Sequence, residues 1–354
     1  MDFNRDESQD AVAEVVVSLL EHTDARDIEL WPKIVDSGLL AVALPERYGG
    51  DGMGLPEVSA MLTELATDAV QVPALATLGF GVLPLLARAP EALADKVFPA
   101  VAEGAVLTAA LHEPGAPFAV KPVTVAAADG DVVRISGRKV AVPYADRAGW
   151  LLIPTDSGIA VVEAGTPGVT VRETPASTGA PEFSVSLDQA EIPAGQLLPD
   201  GLDDLHRLAL ASIGSVADGL LKGVLTLTAE HVRTRRQFGR PLAEFQAVAQ
   251  QIADVYVVSR TLHAAALSAN WALAQDDRTP EQQARIDDDL DVLAYCVASD
   301  LPVAMQKCHH LHGGIGVDMT HPLHRYYSQA KDIARWLGGA SFRLDRLGAR
   351  CSST

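Results

Sequence analysis

The spacing of apolar residues changes period twice along these 354 residues, and that constrains the fold more than any single motif. From residue 8 to about 104, apolar positions return every three or four residues in short runs. SQDAVAEVVVSLLEH is one, and PEVSAMLTELATD, which opens on a helix-starting proline, is another. A glycine-rich loop, LPERYGGDGMG, lies between them. From about 105 to 200 the period is two, in AVLTAALH, DVVRISGRKVAV, GWLLIP, IAVVEA and EFSVSLDQ, divided by Gly, Asp and Pro. From 201 onward helical spacing returns in long segments: DLHRLALASIGSVADGLLKGVLTLTAEHVRTRR, then AEFQAVAQQIADVYVVSRTLHAAALSANWALAQ, then two more after the polar DDRTPEQQ. The pattern predicts a helical N-terminal domain over 1–104, a middle β domain of barrel or sandwich type over 105–200, and a C-terminal four-helix bundle over 201–354.

Composition narrows the partners. The chain is 48% hydrophobic with mean hydropathy +0.14, enough for a sizeable core. Its formal net charge of -18 repels phosphate backbones and anionic membranes, so neither nucleic acid nor membrane is expected as a partner. Cys296, Cys308 and Cys351 are odd in number and far apart, which suits a reducing cytoplasm. MDFNRDESQD is polar and charged, unlike a signal peptide, and no uncharged apolar run is long enough to span a bilayer. The expected location is the cytoplasm.

Two stretches carry chemistry. RTRRQFGRPLAEFQ, residues 233–246, closes one long helix, turns at Gly239 and Pro241, and opens the next with Phe245 and Gln246. Arg233, Arg235 and Arg236 beside that turn suit bidentate pairing with a diphosphate, and Phe238 offers a packing face. The same arginines equally suit a solvated helix C-terminus, where cations are favoured. CHHLHGGIGVDMTHPLHRYY, residues 308–327, holds five histidines. Its spacing is wrong for a metal: His309 and His310 diverge on a helix, and Gly313, Gly314 and Gly316 break it after His312. Those glycines let a ligand approach backbone N–H groups, a weak signal alone. ALHEPGAP, residues 110–117, reads as a turn after the first strand.

In this order and architecture the motifs resemble the acyl-CoA dehydrogenase family, and the resemblance covers the whole chain. RRQFGRPLAEFQ is similar to the family's R-x-x-F-G turn followed by F-Q, and HLHGGIG with HPLHRYY to its Q-x-x-G-G-x-G followed by P-x-x-R. The resemblance implies FAD between subunits, with the flavin ring on the middle and C-terminal domains of one protomer and the ADP half on these two motifs of a neighbour. Carried over, Arg235, Gln237 and Phe238 serve the pyrophosphate side and Gly313 and Gly314 the adenosine side, with Gln246 and Gly316 completing the motifs. His310 replaces the family's glutamine and still offers a donor and an acceptor.

The flavin half departs further. The family's T-E-P-x-x-G-S-D loop is here LHEPGAPFAV, which keeps Glu113, Pro114 and Gly115 but puts Pro117 and Phe118 where Gly, Ser and Asp would make contacts. Proline also lacks the N–H donor. The G-x-K-x-W-I-T/S motif is GRKVAVP, so Ala141 or Val142 replaces the aromatic and the hydroxyl is gone. The implied chemistry is α-proton abstraction from an acyl-CoA by a carboxylate, coupled to hydride transfer from the β-carbon to flavin N5. The family's glutamate before glycine falls on Leu337, and the alternative position on the first long bundle helix falls near Ala209; neither takes a proton. His206, with Asp203 and Asp204, is the alternative base, helix-start capping being the plainer role of the aspartates.

Losing the base and both flavin motifs while keeping both neighbour-facing motifs resembles the smaller, base-lacking subunits of actinobacterial heterotetrameric (α2β2) acyl-CoA dehydrogenases that oxidise CoA thioesters of shortened steroid side chains. MDF, LPERYGGDG, LTAALHEPGA, QKCHHLHGGIGVD, HRYYSQAKD and LGGASFRLDRLGARCS carry the likeness. It implies a chain inactive alone, a catalytic acyl-CoA dehydrogenase partner whose FAD site it completes, a steroid acyl-CoA from cholesterol breakdown as substrate, and an electron-transferring flavoprotein as acceptor. Two other readings stay open: a self-sufficient homotetramer with a displaced base such as His206, and a cofactor-free scaffold.

Overall fold

The computed structural model describes residues 5–23, 30–275 and 277–352; the opening MDF and the Cys351 side chain lie outside the described residues. Helix α1 (Glu7–Glu21) begins where the Asp6 side chain accepts from the Gln9 N–H. After α2 (Leu30–Asp36), α3 (Leu55–Thr67) starts with Pro56 in its first turn and Glu57 accepting from the Gly54 N–H at 2.9 Å. A π-helical stretch, Leu75–Val82, runs into α4 (Leu83–Leu86), and α5 (Glu91–Ala102) follows.

The strands are β1 (Val106–Ala109), β2 (His112–Glu113), β3 (Ala116–Pro117), β4 (Val125–Asp129), β5 (Val132–Pro143), β6 (Ala148–Thr155), β7 (Gly158–Glu163), β8 (Val169–Thr174), β9 (Glu182–Pro193) and β10 (Leu197–Leu198). One sheet has the order β1-β6-β7-β10, with β1 parallel to β6; the other runs β3-β2-β5-β9-β8, and β4 also pairs β5. Alternation along β6 explains how the layers join. Trp150 and Leu152 face the helices, whereas Leu151 and Ile153 face the second sheet, so both faces of the first sheet are buried. The β5–β9 register breaks between Lys139 and Val142, and Ala141 there takes a left-handed φ of 53°.

The bundle comprises α6 (Leu202–Thr234), α7 (Gln246–Leu273), α8 (Pro280–His312), α9 (Leu323–Trp336) and α10 (Gly339–Ser352). A two-stranded hairpin, β11 (Arg236–Gln237) and β12 (Arg240–Pro241), links α6 to α7. Thr279 and Gln282 cap α8 reciprocally. The spacing predicts four long helices, but the fourth is two shorter ones: Leu337 ends α9, and Gly338 and Gly339 follow at φ 83° and 80°, a conformation that favours glycine. Among the described residues, α6 alone is long and apolar enough to cross a membrane, and most of its apolar stretch is buried within the fold. It is the bundle's central helix.

Candidate functional site

Residues 110–118 leave β1 and double back through β2 and β3, with Pro114 and Gly115 at the tip. Beneath this hairpin the Glu113 carboxylate accepts from Lys139 Nζ at 2.8 Å, Thr124 Oγ1 at 2.6 Å and the backbone N–H groups of Val123 and Thr124. Burial alone would raise this carboxyl. Lys139, Thr124 and Val123 outweigh it and hold the group at about 2. Glu113 and Lys139 are the residues the two altered motifs keep, so the frame of the loop persists without its ligand contacts.

Pro117 and Phe118 turn inward from that frame. Phe118 has φ 50° and is 1% exposed; its ring lies edge-on to His112 and His206, with centroids 5.1 and 5.4 Å away, and the Arg343 guanidinium is 4.9 Å from its centre. A left-handed φ costs an L-residue roughly 1–2 kcal/mol, which burial of the ring offsets. Pro117 reaches α10's start: a Cβ on Gly338 would lie 2.7 Å from Pro117 Cγ and 2.6 Å from the Phe342 ring. Leu337 and Ala209 are fully buried, and the Leu337 carbonyl accepts from Arg343 Nε at 2.7 Å. These residues do not fit a flavin. Pro117 has no N–H, Ala141 and Val142 have no hydroxyl, and Phe118 is packed into the interior.

Among the described residues, no carboxylate takes the place of the missing base. Burial, then Arg346 and Arg343, press His206 down to about 3, and burial, Arg343 and His206 do the same to His112. Both rings are neutral at pH 7 and poor proton acceptors. Asp204 is occupied by Arg88 and by Arg207 at 3.0 Å. A largely apolar cavity of about 100 Å³ lies among α3, the π-helical stretch, α6 and α9, lined by Leu65, Leu75, Phe80, Val216, Ile333 and Trp336. Its two carboxylates are already engaged: Asp332 accepts from the Ser177 and Thr178 N–H groups and Thr178 Oγ1, each at 2.9 Å, and Glu182 accepts from Trp336 Nε1 at 2.8 Å and from Arg335.

At the opposite end of α6 the arrangement reverses. Gln237, Phe238, Gly239 and Arg240 make a two-residue hairpin turn with φ 51° at Phe238 and 81° at Gly239, the handedness tight hairpins prefer. Phe238 is 91% exposed at the tip. Arg235 is anchored through its backbone, donating to the His231 carbonyl and accepting from the Leu242 N–H, which leaves its side chain in solvent. Gln237, Gln246 and His310 are exposed too, as are Gly313 and Gly314, where an added Cβ would meet nothing. Gly316 is buried beneath them. The donors, the open glycine backbone and the free aromatic fit a dinucleotide's ADP end approaching from outside.

Sequence reasoning found both outward motifs. It missed the inward role of Phe118, the buried Arg343, and a stack of imidazoles below the glycine turn.

Comparison with known proteins bears on the family and the fold. Residues 3–105 match the acyl-CoA dehydrogenase N-terminal domain and residues 206–350 the C-terminal domain. The chain is 48% identical to acyl-CoA dehydrogenase FadE28 of Mycobacterium tuberculosis, over 100% of both chains. It superposes on the ChsE4–ChsE5 complex from Mycobacterium tuberculosis with TM-score 0.90 at 30% identity, covering 100% of each chain. It also matches a steroid acyl-CoA dehydrogenase, Tcur3481–Tcur3483, with TM-score 0.87 at 30% identity, over 98% of this chain and 97% of that one. The layering and these similarities lead to one assignment: the chain belongs to the acyl-CoA dehydrogenase family of FAD-dependent oxidoreductases.

Proposed function

We propose that this chain is the base-lacking subunit of a heteromeric acyl-CoA dehydrogenase and completes the ADP half of a catalytic partner's FAD site. The observation that carries the reading is the opposition within one chain: the residues that would face its own flavin are packed inward around Phe118, while those that would face a neighbour's FAD stand in solvent. A self-sufficient enzyme has no use for that combination.

In this reading Arg235 and Gln237 pair with the pyrophosphate, Phe238 packs beside it, and Gln246, His310 and the backbone at Gly313 and Gly314 hold the adenosine end. FAD, when bound in the assembly, supplies the hydride acceptor. The α-proton goes to the partner's carboxylate, because Leu337 and Ala209 offer no lone pair that could take it. The relatives' names support an assembly of two different proteins and a steroid substrate; the α2β2 stoichiometry, the side-chain acyl-CoA of cholesterol breakdown, the cytoplasmic location and the electron-transferring flavoprotein are what the family resemblance adds to this proposal.

The test is the flavin content of this chain purified alone and co-purified with a glutamate-bearing acyl-CoA dehydrogenase. No flavin alone and one FAD per pair is the expected result. One FAD per chain when alone would overturn the reading and make His206 the residue to mutate.

A further inference from the structure

The two ADP-facing segments follow the C-termini of different helices, α6 and α8, at one end of the bundle, and something must hold them in register. Between them lie three imidazoles. His231, one turn before Arg235, stacks on His312 with centroids 4.3 Å apart and planes 20° from parallel; His321 meets His312 edge-on at 5.0 Å. His312 is 5% exposed and directly precedes Gly313. The glycine turn rests on it: a Cβ at Gly316 would come 3.4 Å from His312 Cβ and 3.1 Å from Leu323.

The hydrogen bonds fix which nitrogens carry protons. His312 Nδ1 lies 2.9 Å from the Cys308 carbonyl, which can only accept, so Nδ1 is the donor and Nε2 is left as a buried lone pair without a partner. His321 Nδ1 accepts from the Leu323 N–H at 3.3 Å, so its proton sits on Nε2. The stack is held with neutral rings. Around it stand Arg235 from the end of α6, Cys308 and His309 from α8, Asp318 from the turn, and His324 from α9. Asp318 is the one carboxylate in that set, and it is exposed and engaged by Thr320.

We propose that His312 is a positioning residue for the dinucleotide shelf: its neutral ring, packed with His231 and His321, joins the arginine hairpin to the glycine turn, and protonation of the stack releases them. A cation on any ring faces another ring across van der Waals distance, beside Arg235. Burial foremost keeps His312 neutral down to about 4, with His231 and His321 also lowered. The sign follows. The closed turn resists protonation while an opened one binds a proton near 6.5, so the closed form is fully favoured above that value and loses ground as pH falls toward about 4. For His312 alone, a drop to pH 5 multiplies the open population about 30-fold.

The inference rests on the dinucleotide role proposed above, and two readouts separate their failures. In the lone chain, amide exchange of residues 313–321, corrected for intrinsic rates, should speed up about 30-fold between pH 7.5 and pH 5, while the β strands stay protected. In the co-purified holo-complex, FAD release should accelerate at least tenfold over the same interval. His312→Phe keeps the stacked ring and removes the titration, so both pH dependences should flatten to within about twofold; His312→Met, which also fills the site without a titrating group, serves if that variant does not fold. Parallel pH profiles in wild type and variant would overturn the proposal, because a merely structural ring lowers retention equally at every pH. A normal exchange response in a chain that never holds FAD with any partner would instead sink the dinucleotide role and leave the stack standing.

Discussion

Phe118 and Phe238 share a strained backbone and nothing else. Their φ angles are 50° and 51°, yet one ring is 1% exposed and the other 91%. At Phe118 the strain is offset inside the chain, by packing against His112, His206 and Arg343. At Phe238 little in the chain offsets it beyond an edge contact with Phe245 at 6.1 Å. An exposed aromatic held at such an angle has a use outside its own fold, whereas a buried one is part of the fold. On the proposed function, the comparison separates what this chain does for itself from what it does for a neighbour.

The largest expected effect is at the buried member. Phe118→Ala removes a fully packed ring and keeps the unfavourable φ, so it should cost about 3–5 kcal/mol by urea unfolding of the lone chain. Phe118→Gly loses the same ring but relieves the backbone, and should be less damaging than alanine by about 1 kcal/mol. Equal losses would remove the strain from the comparison.

Acid is the next lever. His112 and His206 are held neutral at about 3, against 6.5 in an unfolded chain. Because the unfolded state takes protons that the fold refuses, stability is fully present above about 6.5 and drains as pH falls toward 3. By pH 5 the loss is about 2 kcal/mol per ring. Replacing both rings by Phe and Leu should flatten that slope in urea titrations between pH 7.5 and 5. The Glu113 carboxyl contributes to this slope only below its unfolded value of 4.5, so the two effects overlap between about 4.5 and 3, and the interval from pH 7.5 to 5 reads the histidines without it.

The two regions also differ in how far the sequence discloses them. The shelf is legible because each of its halves is a contiguous string on an exposed turn: Arg235 to Gln246, and His310 to Gly316. The plug is not, because His112, Phe118, His206 and Arg343 come from a hairpin, a loop, α6 and α10, and meet only when both sheets and the bundle close. The sequence says that Phe118 cannot serve a flavin; it takes the fold to say that it faces inward. The five histidines near the glycine turn suggest metal chemistry first, and the ring that completes their stack, His231, lies on another helix. The split of the last long helix at Gly338 and Gly339 was readable from the paired glycines, since no periodic pattern overrides two adjacent left-handed residues.

On the shelf, charge should matter more than packing. Arg235→Ala removes an exposed donor fork with no hydrogen-bond partner among the described residues, so the lone chain should unfold within about 0.5 kcal/mol of wild type. The holo-complex should bind FAD roughly 10- to 100-fold more weakly, the range for losing a charge-assisted hydrogen bond worth about 1.5–3 kcal/mol. Equilibrium dialysis of the complex against FAD reads the second number. An unchanged affinity would move the pyrophosphate away from this hairpin.

The smallest expected effect tests the exposed member of the pair. Phe238→Ala removes a ring that is almost wholly in solvent, so the lone chain's unfolding midpoint should move by less than about 0.5 kcal/mol, against several for the same truncation at Phe118. The backbone strain is unchanged in both cases, so the contrast isolates what each ring contacts. If Phe238→Ala destabilises the lone chain by more than about 1 kcal/mol, the tip is part of this chain's own fold and the outward reading of the hairpin fails. If the lone chain is indifferent and the complex sheds FAD or dissociates on sizing, the ring's contacts lie in the partner, which is where a strained and exposed aromatic finds its compensation.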